Sequence, residues 1–149
     1  MYVFEEPATW SLEKVLGTRD QIRIKNQATG EYLYAAADDL AQDSERRRVF
    51  TWTDTATSPQ NWENKADWKV EVVNDCVKLK NIRYSEYLYA AADDRAFDES
   101  SRSVFTWKDE DTLGKEGLWM VNTDIKGKIF FKCVLPVWLP LFSVFSVMQ

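Results

Sequence analysis

Short stretches in which apolar and polar residues alternate recur along this chain. Ile22-Arg23-Ile24-Lys25 alternates with the period of two that belongs to a half-buried strand, and Val77-Lys78-Leu79-Lys80 does the same. Tyr32-Leu33-Tyr34-Ala35 and Tyr87-Leu88-Tyr89-Ala90 predict a second strand in each region. Gly30 and Ser85, each beside a glutamate, mark the turn between the two strands. Val49-Phe50-Thr51-Trp52 and Val104-Phe105-Thr106-Trp107 predict a third strand, because aromatic and β-branched residues suit a pleated, half-buried surface. Trp68-Lys69-Val70-Glu71-Val72 and Leu118-Trp119-Met120-Val121 predict a fourth, each after a polar, turn-rich loop.

These regions are two copies of one unit. Residues 22–54 and 77–109 align at a constant offset of 55, without gaps, and 19 of the 33 positions are identical. A four-stranded unit of this size cannot bury its apolar face alone and needs neighbours. Three such units would close a β-trefoil, whereas a propeller would need more blades than the chain can supply. The expected fold is therefore all-β and β-trefoil-like, in a single domain spanning 1–149. Its two clear units are 22–72 and 77–121, and the termini share a degenerate third unit (129–149 with 1–16). Lys128-Ile129-Phe130-Phe131-Lys132 reads as the first strand of that third unit. Ser143-Val144-Phe145-Ser146-Val147 echoes the third strand, and Trp10-Ser11-Leu12-Glu13 the fourth. No Tyr-Leu-Tyr-Ala and no Asp-Asp appear between them. An alternative is that the apolar tail packs irregularly, in which case it is an aggregation liability.

Composition narrows the chemistry. Histidine is absent, which removes the usual general base, the Ser-His and Cys-His pairs and the commonest zinc ligand. A net charge of −5 disfavours a general nucleic-acid binder, which needs surplus Lys and Arg. Neither a phosphate loop nor a nucleophile elbow occurs. No enzyme activity, cofactor or metal is expected. Cys76 and Cys133 are the two cysteines, open to one disulfide or two buried thiols. The first residues lack the charged and apolar regions of a signal peptide, so the expectation from these residues alone is a cytoplasmic protein, or a mature or engineered form of a secreted one. The uncharged run Cys133–Gln149 is 17 residues, at the lower limit for a spanning helix, and Pro136 and Pro140 interrupt it, so a membrane anchor is not expected.

Seven Trp, six Tyr and eight Phe must fill a core or form a binding surface. Trp10, Trp52, Trp68, Trp107 and Trp119 recur at matching places and read as core, whereas Trp62, in a polar loop, reads as an exposed aromatic. The duplicated Tyr-Leu-Tyr-Ala-Ala-Ala-Asp-Asp segment offers two equivalent candidate ligand sites, Tyr34 with Asp38 and Asp39, and Tyr89 with Asp93 and Asp94. An aromatic face beside carboxylates suits a sugar, whose vicinal hydroxyls donate to the carboxylates. The competing reading is turn chemistry, with Asp bonding nearby backbone N–H groups and Asp43–Arg47 and Asp98–Arg102 pairing across the loops. Calcium would need more oxygens than an Asp pair supplies. Arg46-Arg47-Arg48 resembles an anion patch, but its counterpart is Ser101-Arg102-Ser103, so a solvated loop face fits it better.

Four-stranded units with an aromatic third strand and a recurring Trp resemble the ricin-type β-trefoil class in architecture. Where that class carries Gln-x-Trp, this chain has Phe50-Thr51-Trp52 and Phe105-Thr106-Trp107. Over residues 22–109, the Tyr-Leu-Tyr-Ala-Ala-Ala-Asp-Asp and Val-Phe-Thr-Trp segments resemble small Trp-rich mosquito proteins, including a salivary family of about this size. That resemblance implies secretion and carries over no catalytic residue. The expected function is a non-enzymatic binding module, lectin-like, for a multivalent glycan. The alternative is a secreted factor that binds a protein partner through the same fold.

Overall fold

A computed structural model describes residues 9–37, 45–90, 101–123, 129–133 and 144–146. The first unit comprises β2 (Gln21–Asn26), β3 (Tyr32–Ala35), β4 (Arg46–Trp52) and β5 (Trp68–Val73). The second comprises β6 (Cys76–Asn81), β7 (Tyr87–Ala90), β8 (Ser101–Trp107) and β9 (Trp119–Thr123). Flanking them are β1 (Trp10–Lys14), β10 (Ile129–Cys133) and β11 (Val144–Ser146). Three short 3-10 turns, Pro59–Asn61, Glu110–Thr112 and Lys115–Gly117, lie in the loops before β5 and β9.

The turns within the two units are superposable in their bonding. Asn26 N–H donates to Glu31 O and Gly30 N–H to Asn26 O; Asn81 N–H donates to Glu86 O and Ser85 N–H to Asn81 O. Both turns need a left-handed residue. Gly30 supplies φ 75° and Ser85 φ 56° at the same place.

Alternation within the strands then sorts the side chains. Ile24, Leu33, Ala35 and Val49 of the first unit enter the core, as do their counterparts Leu79, Leu88, Ala90 and Val104. Trp10, Trp68 and Trp119 fill the space between them. Their indole N–H groups must also be satisfied once buried. Trp68 Nε1 donates to Leu33 O at 3.1 Å and Trp119 Nε1 to Leu88 O at 3.0 Å, so each tryptophan ties the fourth strand of its unit to the second. A fully buried large apolar side chain contributes roughly 2–3 kcal/mol by leaving water.

The chain is all-β, but the expected β-trefoil is not what forms. The strands join into one hydrogen-bonded sheet that closes as a seven-stranded barrel, β2-β3-β4-β8-β7-β6-β5 and back to β2. β1, β10 and β9 continue the sheet from β2 round to β6. Two features break the trefoil plan. The β3–β4 and β7–β8 hairpins are stitched together by β4–β8 pairing, Arg46↔Trp107 to Arg48↔Phe105, and so become barrel wall. The C-terminal segment supplies β11, which runs parallel along Ser101–Ser103 of β8. The physical reason lies in the third unit. Its sequence carries no third Tyr-Leu-Tyr-Ala segment, so the chain does not encode the three equal repeats of a trefoil.

Candidate functional site

Leu33 and Ala35 point into the core, so Tyr32 and Tyr34 on the same strand point outward; Phe50 and Trp52 alternate likewise with Val49 and Thr51. The β3–β4 register sets Tyr34 opposite Phe50 and Tyr32 opposite Trp52. An aromatic face results. Tyr34 lies 5.3 Å from Phe50 and 5.2 Å from Trp52 between ring centroids, and Trp62 closes it from the loop at 4.5 Å from Trp52 and edge-on to both tyrosines. Tyr34, Phe50 and Trp52 remain half-buried.

The second unit builds the same face from Tyr89, Phe105 and Trp107, with Tyr89 at 6.1 Å from Phe105 and 5.5 Å from Trp107. Here the surface is covered. Tyr89 is 7% exposed and Phe105 5%, and Leu113 packs against the pair. The duplicated sequence therefore gives two unequal faces, one partly open and one enclosed.

The loops after the third strands explain part of the difference. Asp54 and Asp109 organise matching turns: Asp54 Oδ1 accepts from Ala56 N–H at 2.8 Å and Asp109 Oδ1 from Asp111 N–H at 3.0 Å. The first bond, with a second from Thr57 Oγ1, holds the Asp54 carboxyl below the usual aspartate range. Each turn then presents an equivalent threonine, Thr57 or Thr112. Thr112 Oγ1 accepts from Trp107 Nε1 at 2.8 Å, whereas Thr57 Oγ1 accepts from Trp62 Nε1 at 2.9 Å. Trp52, the counterpart of Trp107, keeps an indole N–H with no partner among the described residues.

Of the site residues expected from sequence, Tyr34 and Tyr89 fall on these two faces, while Asp38, Asp39, Asp93 and Asp94 lie outside the described residues, as do Asp43 and Asp98. Other expectations need correction. Trp62 is 5% exposed, because its ring is drawn into the Tyr32–Tyr34–Trp52 cluster rather than left in solvent. Trp52 and Trp107 are half-buried members of the outer faces, not core, because they share the outward parity of Tyr32 and Tyr87. The Arg46–Arg48 run is strand, not loop, and its middle residue is inside.

Arg47 is the residue that sequence reasoning misplaced furthest. It is 3% exposed; Nε and Nη2 donate to Glu86 Oε2 and Oε1 at 2.9 and 3.2 Å, and Nη1 donates to Ala36 O at 2.8 Å. Its guanidinium carbon stands 3.5 Å from the Tyr84 ring centroid, and Thr106 Oγ1 donates to Glu86 Oε2 at 2.6 Å. This network joins the two units through a charged pair between them. The available signal was the alternation of the Arg run itself, which puts one of three arginines inside.

Two tyrosines tie the hairpins to other strands, Tyr32 of β3 to β1 and Tyr87 of β7 to β5. Tyr32 Oη donates to Glu13 Oε2 at 2.8 Å and Tyr87 Oη to Glu71 Oε2 at 2.9 Å. Burial and the carboxylate hydrogen bond push Tyr32 up to about 12 and Tyr87 higher still. Beside Tyr34, burial alone would lower the Lys65 ammonium. The neighbouring Tyr34, Glu63 and Tyr84 outweigh that and raise it.

Cys76 is a free thiol. Val77 pairs with Trp119 and Trp119 with Cys133, so the two cysteines stand two strands apart. That separation is roughly 9–10 Å, beyond the ~7 Å reach of a disulfide. Among the described residues, no group of three His, Cys, Asp or Glu side chains could hold a metal ion, and no helix is long and apolar enough to cross a membrane.

No family model matches the sequence, and no curated protein does. Among solved structures, the fold is similar to that of a salivary protein from Culex quiquefasciatus that belongs to the Cysteine and Tryptophan-Rich (CWRC) family. The TM-score is 0.61 at 20% identity, over 78% of this chain and 72% of that one. The likeness shows a shared fold, and it does not extend to a ricin-type trefoil.

Proposed function

We propose that this protein is a secreted, non-enzymatic binding module that takes a carbohydrate on the open aromatic face of its first unit. The observation that carries the reading is the half-exposed Tyr34–Phe50–Trp52 face, held in a closed barrel wall with Trp62 behind it. Aromatic rings present a flat apolar surface to the C–H face of a sugar, and they lose little conformational freedom on binding. Rigid positioning favours binding because little is left to order. Tyr34, with Asp38 and Asp39 following it in sequence, forms the principal site. Tyr89, with Asp93 and Asp94, is its covered counterpart. Membership of the tryptophan-rich salivary family belongs to the same proposal, and the fold shared with the Culex salivary protein supports both kinship and secretion.

A glycan array tests the proposal, using the wild type beside Tyr34→Ala and Asp38→Ala, each checked for folding by near-ultraviolet circular dichroism. Selective binding that drops by roughly 5- to 10-fold or more in folded Tyr34→Ala supports it, since one aromatic contact is worth about 1 kcal/mol. A wild type that binds no glycan sinks the sugar reading and directs the search to a protein partner.

A further inference from the structure

The two threonines after the third strands make opposite choices. Thr112 engages the tryptophan of its own strand, Trp107, and Thr57 engages Trp62. The surrounding turns are otherwise alike, with Asp54 and Asp109 bonding the backbone two residues on and Thr57 and Thr112 three residues after each aspartate. The difference accompanies Trp62, whose indole donates to Thr57 where Trp107 donates to Thr112, and the Trp52 N–H, beside an accessible aromatic face, has no partner among the described residues. An indole N–H is a donor only, so what it lacks is an acceptor.

We infer that Trp52 Nε1–H is the hydrogen-bond donor to ligand at this face, and that Trp62 sets it free by capturing Thr57. The inference rests on the sugar reading and narrows its substrate class to acetamido sugars. Among neutral sugar substituents, the acetamido carbonyl is the strongest acceptor. Its methyl group adds an apolar contact for the Tyr34 and Phe50 rings. Trp62 is a positioning residue: it packs edge-on against Tyr32 and Tyr34 and acts on ligand through Trp52. The second unit has no released donor, because Thr112 holds Trp107 and Leu113 covers Tyr89 and Phe105.

Indole N–H exchange in deuterated water, followed by nitrogen–proton NMR, tests the release without any ligand. The Trp52 N–H exchanges roughly fivefold faster than that of Trp107, the factor expected for one net hydrogen bond. Trp62→Phe keeps a ring in place but removes the competing N–H. Trp52 exchange then slows towards that of Trp107, whose own rate stays fixed and reports an intact fold. Thr112→Val, in a surface loop, gives the converse and speeds Trp107. Equal rates for Trp52 and Trp107 in the wild type, or a Trp52 rate indifferent to Trp62→Phe, overturn the release.

Titration with N-acetylglucosamine against glucose tests the ligand. A downfield shift of the Trp52 N–H with the first sugar only supports the assignment. A shift of other indoles that leaves Trp52 unmoved overturns the donor while sparing the sugar reading. No shift of any indole, with binding also absent on the array, overturns the sugar reading and the acetamido class together.

Discussion

At position 85 the chain places a serine where its duplicate places a glycine, and the backbone is left-handed at both, with φ 56° at Ser85 and φ 75° at Gly30. A side chain in that region costs about 1–2 kcal/mol, partly offset because glycine loses more freedom on folding. Ser85→Gly is therefore expected to stabilise the protein by about 0.5 kcal/mol. Gly30→Ala should destabilise it by about 1 kcal/mol, and for a backbone reason alone, since the nearest atom to a Cβ there is Lys25 Cε at 3.9 Å. Urea midpoints of the two variants check both signs, and a stabilising Gly30→Ala would contradict the argument. Both turns were legible in the sequence, because Gly and Ser beside a glutamate break two periodic runs. The fate of single aromatics was not. Trp62 looks solvent-exposed in a loop of Thr, Ser, Pro and Asn, and only folding reveals a cluster that buries it.

For single strands, alternation together with aromatic and β-branched content located all four strands of each unit, though not the Arg46–Arg48 start of β4, and offset 55 made each reading count twice. Partners across units were not readable, because a strand's outward residues do not say what lies beside them. The β4–β8 seam is the clearest case. It brings Arg47 of one unit to Glu86 of the other, inside the wall. Breaking a buried pair leaves one charge desolvated, so Arg47→Met should cost about 3–5 kcal/mol. Replacing both partners by Arg47→Met with Glu86→Met removes the orphaned charge and should recover part of that loss, with Thr106 left short of one acceptor. A denaturation double-mutant cycle measures the coupling, and strictly additive single costs would show that the pair is not what joins the units.

At the scale of the whole molecule, the repeat itself misled. Two clear units and a remnant imply three-fold closure only if the remnant can make a hairpin. The sequence holds no third Tyr-Leu-Tyr-Ala segment, and the two hairpins it does encode pair with each other through β4 and β8. The hairpins are tied to other strands by the matching contacts Tyr32–Glu13, β3 to β1, and Tyr87–Glu71, β7 to β5, which give the molecule an alkaline limit. Both phenols titrate above the ordinary tyrosine value of about 10, Tyr32 at about 12, from burial and from donating to a carboxylate. A group whose folded pKa is raised binds its proton more tightly when folded. Its contribution is complete below pH ~10 and falls away as pH climbs through the folded value. Urea stability should thus be flat between pH 8 and 9.5 as far as these groups are concerned, and decline from about pH 10 to 12 and beyond. Tyr32→Phe with Tyr87→Phe removes the two hydrogen bonds, at about 1 kcal/mol each at neutral pH, and also flattens the alkaline decline. Stability measured by urea titration across that range decides it. A double variant that loses stability with pH as steeply as the wild type would place the alkaline limit elsewhere in the barrel.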